Sequence, residues 1–244
     1  MPASSNITLS TATSEPLSLA GLPWPVELRS HPRARRLRLA LDEPRGLLRL
    51  TVPRRISRRA ALAWAAEQAG WVEAQLARIE PGEPLAPGAT IPIDGAEVLL
   101  RWDEAAPRTP RLTANVLVCG GPAERFEGRI ARWLREEARR RLVEETRALA
   151  ARSGIADGPV SVGDAGTRWG SCSASGAIRY NWRLLLAPPH VRAYVVAHEV
   201  AHRLHLNHGP DFHALQARLY DGDVAATRLE LRRLAARLKR VGRG

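Results

Sequence analysis

Residues 198–202 read His-Glu-Val-Ala-His, and this pentad constrains the chain more than any other stretch of it. Two imidazoles four residues apart, with an acid beside the first, are brought to one side by a helix. There residues i and i+4 lie about 40° apart around the axis, so both rings leave one face. The flanking sequence supplies such a helix independently. Pro188-Pro189 suits a first turn, where the missing N–H costs nothing. Val191, Tyr194, Val195 and Val196 provide the apolar positions, and Asn207-His208-Gly209 provides the expected end. Glu199 falls about 100° from His198, beside the space that the two rings share.

His198 and His202 so placed can hold one divalent ion; imidazole ligands suit zinc, and also nickel, copper or cobalt. An ion of this kind brings the pKa of bound water to about 7, and an adjacent carboxylate can take the proton during attack. Glu199 is therefore the expected general base, and it can return the proton to the leaving group. Without a metal, burying both histidines would require two separate hydrogen-bond solutions. Four residues are candidates for the third ligand: His205, His208, His213 and Glu230. His205 stays nearly in line on the helix. His208 follows the expected break at Asn207 and completes a His-x3-His-x5-His interval, the ligand spacing of metzincins, so it is the preferred ligand. A metzincin proper is excluded, because Met1 is the only methionine and no methionine turn can follow.

The remainder of the chain reads as α+β. VELRSH, RRLRLALD and LLRLTVP alternate apolar and polar residues from Val26 to Val52, with a turn at Glu43–Gly46. A helix capped by Ser57 runs to about Ile79. After a loop over Pro81–Pro92 come two strands, one ending at Trp102 and one over Arg111–Cys119. Gly120-Gly121-Pro122 is the sharpest punctuation and sets the expected domain boundary. A long amphipathic helix over Ala123–Arg152 follows, then a short strand at Val160–Val162, then a hairpin with arms Thr167–Cys172 and Ala177–Trp182, then three further helices. The expected organisation is a flexible tail over 1–21, a small β-rich subdomain with a helix over 22–122, and a catalytic domain over 123–244 that carries the active helix.

The charge balance gives +12, and with Lys239 the only lysine it is essentially all arginine. Such an excess fits a polyanionic partner, nucleic acid or nucleotide, but arginine and alanine are enriched throughout the chain, so net charge alone assigns no site. Arg35, Arg36, Arg54, Arg55, Arg58 and Arg59 read either as solvated positions or as an anion-binding patch. No apolar run is long enough for a membrane span, and the Ser/Thr-rich start does not read as a secretory signal. Two distant cysteines, Cys119 and Cys172, fit a cytoplasmic protein with reduced thiols, and Cys172 reads as a small packed residue rather than a nucleophile.

Arg168-Trp169-Gly170-Ser171-Cys172-Ser173, then Ile178, Asn181-Trp182-Arg183-Leu184, the pentad, and Asn207-His208-Gly209-Pro210 with Phe212 together resemble the YgjP-like metallopeptidase family, relatives of the WLM and SprT-like zincins. The resemblance extends upstream through Arg35–Val52 and the helix around Trp71, covering roughly residues 25–240. It implies a minimal gluzincin-like domain, zinc on His198, His202 and His208, Glu199 as general base, and a polypeptide substrate paired along the strand Thr167–Ser173. His213 departs from the family, whose members often carry tryptophan there, and adds a spare candidate ligand. Trp169, Gly170, Ser171 and Tyr180 are candidate substrate contacts, and Tyr180, Arg179 and Tyr194 candidate oxyanion donors. Each has a competing packing role. Two further readings are hydrolysis of a nucleotide phosphoanhydride on the same metal, and a DNA-associated protease of the SprT-like kind.

Overall fold

Leu39 and Leu41, and Leu48, Leu50 and Val52, alternate with polar neighbours, and this period turns one face of a sheet onto a core. The computed structural model describes residues 15–78 and 81–243, and the chain divides into units Met1–Glu80 and Pro81–Gly244. In the first unit, β1 (Val26–Ser30), β2 (Arg38–Asp42) and β3 (Leu47–Val52) form a sheet with β3 in the centre, parallel to β1 and antiparallel to β2. Gly46, at φ +58°, closes the β2–β3 connection, as its position in the expected turn requires. Val26, Leu48 and Leu50 pack against Ala61, Ala65 and Val72 of two helices, α1 (Arg58–Glu67) and α2 (Ala69–Leu76).

The sequence predicts a single helix here; the structure breaks it at Gln68, whose φ of −85° and ψ of 9° depart from the helix. Ser57 caps α1 as expected, accepting from the Ala60 N–H at 3.2 Å. The expected end at Ile79 lies outside the described residues, as do residues 1–14 of the expected tail. Leu17, within that tail, exchanges backbone hydrogen bonds with Val26 at 2.9 and 2.8 Å.

The second unit begins with a four-stranded sheet in the order β4-β5-β7-β6: β4 (Thr90–Ile93), β5 (Ala96–Trp102), β6 (Arg111–Thr113) and β7 (Val116–Cys119). The stretch Arg111–Cys119, predicted as one strand, folds back at Ala114, whose φ is +51°. The expected boundary at Gly120-Gly121-Pro122 lies inside this unit. Ile91, Val98, Leu100 and Leu117 share one core with Phe126, Ile130 and Leu134 of α3 (Phe126–Arg152), so the glycines mark a tight turn rather than a division. Gly120 is required there because a Cβ would overlap the Ala106 carbonyl.

α3 buries Phe126, Ile130, Leu134, Ala138 and Leu142, a strict four-residue repeat that holds one stripe against the interior. A third sheet, β8-β10-β9, follows: β8 (Val160–Gly163), β9 (Gly170–Cys172) and β10 (Ile178–Asn181). Then come α4 (Pro189–Ala201), α5 (Pro210–Leu219) and α6 (Val224–Arg240). Two buried arginines fix α4 and the chain end. Arg192 donates to Glu145 of α3 at 2.9 and 3.0 Å and to Asp94 at 2.6 Å, while Arg183 donates to the Val241 carbonyl at 3.2 and 3.0 Å. Among the described residues no helix is long and apolar enough to cross a membrane.

Candidate metal centre

α4 ends at Ala201, earlier than its expected end near Asn207, but its final turn closes on His202, whose N–H reaches the His198 carbonyl at 3.3 Å. His198 and His202 therefore keep helical phase, with ring centroids 4.8 Å apart. The chain then turns through Arg203 and Leu204, both bonded back to the last turn, and Asn207 leads His208 over the same face. One nitrogen from each of His198, His202 and His208 lies within 4.8 Å of the others. The His198 and His208 Nε2 atoms are 3.2 Å apart. The ring of Phe212, from α5, packs against all three imidazoles at centroid distances of 5.0, 4.5 and 4.7 Å.

The donor set fits a divalent ion in its protonation and its support. Burial, then the neighbouring His202 and His208, hold the His198 ring down to about 4, so it is neutral at pH 7, as a ligand must be. His208 is lowered too, by burial first and then by the neighbouring His202 and His213. His202 Nδ1 lies 2.9 Å from the His205 carbonyl, which can only accept, so Nδ1 is the donor there and Nε2 is the ring nitrogen left to face an ion. His205 thus contributes its backbone rather than its ring. His213 and Glu230, the other candidates, stand outside the cluster: the His213 ring is 6.4 Å from that of His208, and Glu230 meets His190 at 2.7 Å.

Glu199 points from α4 towards β9. It is 4% exposed, and its Oε2 is buried without a hydrogen-bond partner, a costly state for a carboxylate that serves only packing. Burial raises its pKa to about 7, against an opposing pull from Arg168. Gly170 faces it so closely that a Cβ there would overlap the carboxyl group. Cys172, two residues on, has its thiol pushed up by burial and by the Glu199 charge, which suits a packed residue and not a nucleophile.

The other candidates separate by burial. Tyr180, predicted as a substrate contact and oxyanion donor, is buried with its hydroxyl 3.0 Å from Thr146 Oγ1, and burial drives its pKa upward. That hydroxyl is a core strut, out of a substrate's reach. Trp169 packs on the core beneath Lys239, whose Nζ lies 5.7 Å from the ring. Asn181 anchors the hairpin by donating to the Ala165 carbonyl at 2.8 Å and accepting from the Arg183 N–H at 2.9 Å. Gly170 and Ser171 are half-buried on β9.

The sequence model of the "YgjP-like, metallopeptidase domain" matches residues 35–234, more than half of the chain. The chain belongs to the YgjP-like metallopeptidase family. Neither a curated protein nor a solved structure gives a match.

Within this YgjP-like domain two supporting residues escape a reading of the sequence alone. Gln216 is buried and hydrogen-bonds the His198 ring. Its signal was a polar residue on the apolar face of α5, between Leu215 and Leu219 and one turn after Phe212. The side chain of Arg203, immediately after the pentad, is buried and donates to the carbonyls of Ala156, Gly158 and Gly176 at 3.0, 3.2 and 3.2 Å. It ties the end of α4 to the hairpin and to the approach to β8, and with them fixes the distance between Glu199 and Gly170.

Proposed function

We propose that the chain is a zinc-dependent peptidase in which His198, His202 and His208 hold the ion and Glu199 is the general base. The observation that carries this reading is the convergence of three imidazole nitrogens within 4.8 Å beside an unpartnered buried carboxylate oxygen. A divalent ion bound there supplies Lewis acidity, acidifying water and polarising a carbonyl. Glu199 takes a proton from the attacking water on its free Oε2 and passes it to the departing amide nitrogen. One carboxyl group so placed can serve both directions of that transfer.

The geometry of β9 supports an extended polypeptide as substrate. Trp169 accepts from Asn181, and Ser173 donates to Ala177, so alternate backbone groups of the strand face β10. By the two-residue period the N–H and C=O of Gly170 and Cys172 face away from it, and among the described residues β9 is the sheet edge on that side. A substrate strand can pair with those groups while its scissile bond lies over Glu199.

The test is turnover of a quenched fluorescent peptide library by chelated protein, by protein restored with one equivalent of zinc, and by Glu199→Gln. Restoration by zinc and a loss of at least about a hundredfold in the variant are expected. Nucleotide hydrolysis without peptide cleavage would replace this reading with a phosphoanhydride hydrolase.

A further inference from the structure

We propose that the Met1–Glu80 unit carries a sequence-independent nucleic-acid binding surface, formed by eight arginines at one end of its sheet. Arg33, Arg35 and Arg36 lie between β1 and β2 and Arg38 opens β2, while Arg54 and Arg55 lie between β3 and α1 and Arg58 and Arg59 open α1. The two runs are about twenty residues apart in sequence, and the topology brings them together. β1 and β3 are parallel, with Ser30 beside Val52, and β2 enters antiparallel, with Arg38 beside Thr51. Both segments therefore leave or enter the sheet at the same end. Arg55 Nη2 ties them there, donating to the Arg35 carbonyl at 2.9 Å.

Three features separate this end from the arginine enrichment of the rest of the chain. The first is the lack of counter-charge. All eight residues are exposed, and no Asp or Glu occurs from Leu28 to Leu41 or from Pro44 to Ala66. Among the described residues none of the eight has an ion-pair partner. Several arginines elsewhere are compensated: Arg29, Arg45 and Arg49 surround Glu27 and Asp42 on this same sheet, and Arg140, Arg141, Arg192 and Arg237 each hold a carboxylate. Other arginines, Arg125, Arg132, Arg218 and Arg232 among them, have no ion-pair partner among the described residues, but they are scattered over three helices and the turn before one of them rather than gathered in acid-free runs.

The second feature is placement against the helix. The N-terminus of α1 bears partial positive charge, which ordinarily favours Asp or Glu in the first turn. α1 has no acid there and begins with Arg58 and Arg59. This end is electrostatically unfavourable by itself, and a bound anion relieves it. The third feature is shape: a shallow depression of about 210 Å³ has an apolar floor of Leu28, Val52, Pro53 and Ile56, and Arg54, Arg58 and Ser30 on it can hold a phosphate at its rim. Guanidinium forks match phosphate oxygens in pairs, which is the contact that positions a protein on a nucleic-acid backbone. A lipid surface is less well matched, because a membrane-binding face inserts apolar or aromatic anchors among its basic residues. The exposed large apolar side chain described in this unit is Trp71, in α2.

The test uses the full chain and a labelled 20-base-pair duplex of arbitrary sequence, with affinity followed by fluorescence anisotropy from 50 to 300 mM salt. The wild type is expected to bind with a steep log–log salt slope. Arg35→Gln, Arg36→Gln, Arg54→Gln and Arg58→Gln combined should reduce that slope by about 3 to 4 units and weaken binding at 100 mM salt at least thirtyfold. Unchanged unfolding transitions would show that the variant is folded. A charge-matched control, Arg125→Gln, Arg132→Gln, Arg218→Gln and Arg232→Gln combined, should retain most of the affinity. Equal weakening in both variants would assign binding to net charge and overturn the surface. No duplex binding at 100 mM salt would overturn it too, as would stronger retention on vesicles containing phosphatidylserine than on the duplex.

Discussion

Replacing Glu199 by glutamine should stabilise the metal-free protein at alkaline pH relative to acid pH, and the size of the effect follows from burial. Glu199 is 4% exposed, and its pKa rises from 4.5 to about 7. The folded pKa lies above the unfolded one, so the stabilising contribution of the carboxyl group is complete below pH 4.5 and is lost as pH rises through 7. Between pH 5 and pH 8 that loss amounts to about 2.5 kcal/mol for a shift of this size. Glutamine, uncharged throughout, loses nothing. It buries an amide whose donor lacks a partner, at a cost of about 1–3 kcal/mol, but that cost is the same at every pH.

His198 works in the opposite direction, because its folded pKa of about 4 lies below the unfolded 6.5, so it favours the folded state increasingly as pH rises between them. That contribution is common to both proteins and cancels in the comparison. The assay is urea unfolding of chelated wild type and Glu199→Gln at pH 5 and pH 8. The variant-minus-wild-type stability should move in the variant's favour by about 2.5 kcal/mol between the two. The same difference at both pH values would refute the view that Glu199 is held desolvated and ready to exchange a proton.

Other residues give sharper local tests. Gly170→Ala should keep the metal content but lower peptide turnover by about a hundredfold or more, because its Cβ displaces the Glu199 carboxyl group; metal analysis beside turnover separates the two effects. Arg203→Ala removes the donor to three carbonyls and should cost about 2–4 kcal/mol in urea unfolding. Gln216→Ala removes a hydrogen bond to the His198 ring and should weaken zinc binding about 10–100-fold in chelator competition, with little change in the fold by circular dichroism.

The elements that the sequence made legible are those with a strong local period or an unambiguous cap. The β2–β3 pair, the Ser57 cap, α3 and α4 lie where Leu48–Leu50–Val52, Ser57, the four-residue repeat of α3 and Pro188-Pro189 place them. The errors arose where tertiary contacts overrode local signals. Gly120-Gly121-Pro122 looks like a boundary in one dimension, yet the strands before it and the helix after it bury against each other. Ala114 folds one predicted strand into two through a positive φ that alanine rarely adopts and composition does not announce.

At the site, His198, Glu199 and His202 were legible because helical periodicity alone brings them together. His208 needed the break after α4 to fold back. Tyr180 stood open between a substrate contact and a packing role, because nothing in the alternation of β10 says which face is the core. Gln216 and Arg203 act through a ring and through carbonyls brought close by folding, and only a misplaced polarity hinted at either.

Metal content is the most direct measurement of the central claim. Protein loaded with excess zinc and freed of unbound ion should retain about one ion per chain by inductively coupled plasma mass spectrometry, against less than about a tenth in His202→Ala prepared alongside it. Equal retention by the two proteins, or none by the wild type, would contradict a centre built from His198, His202 and His208.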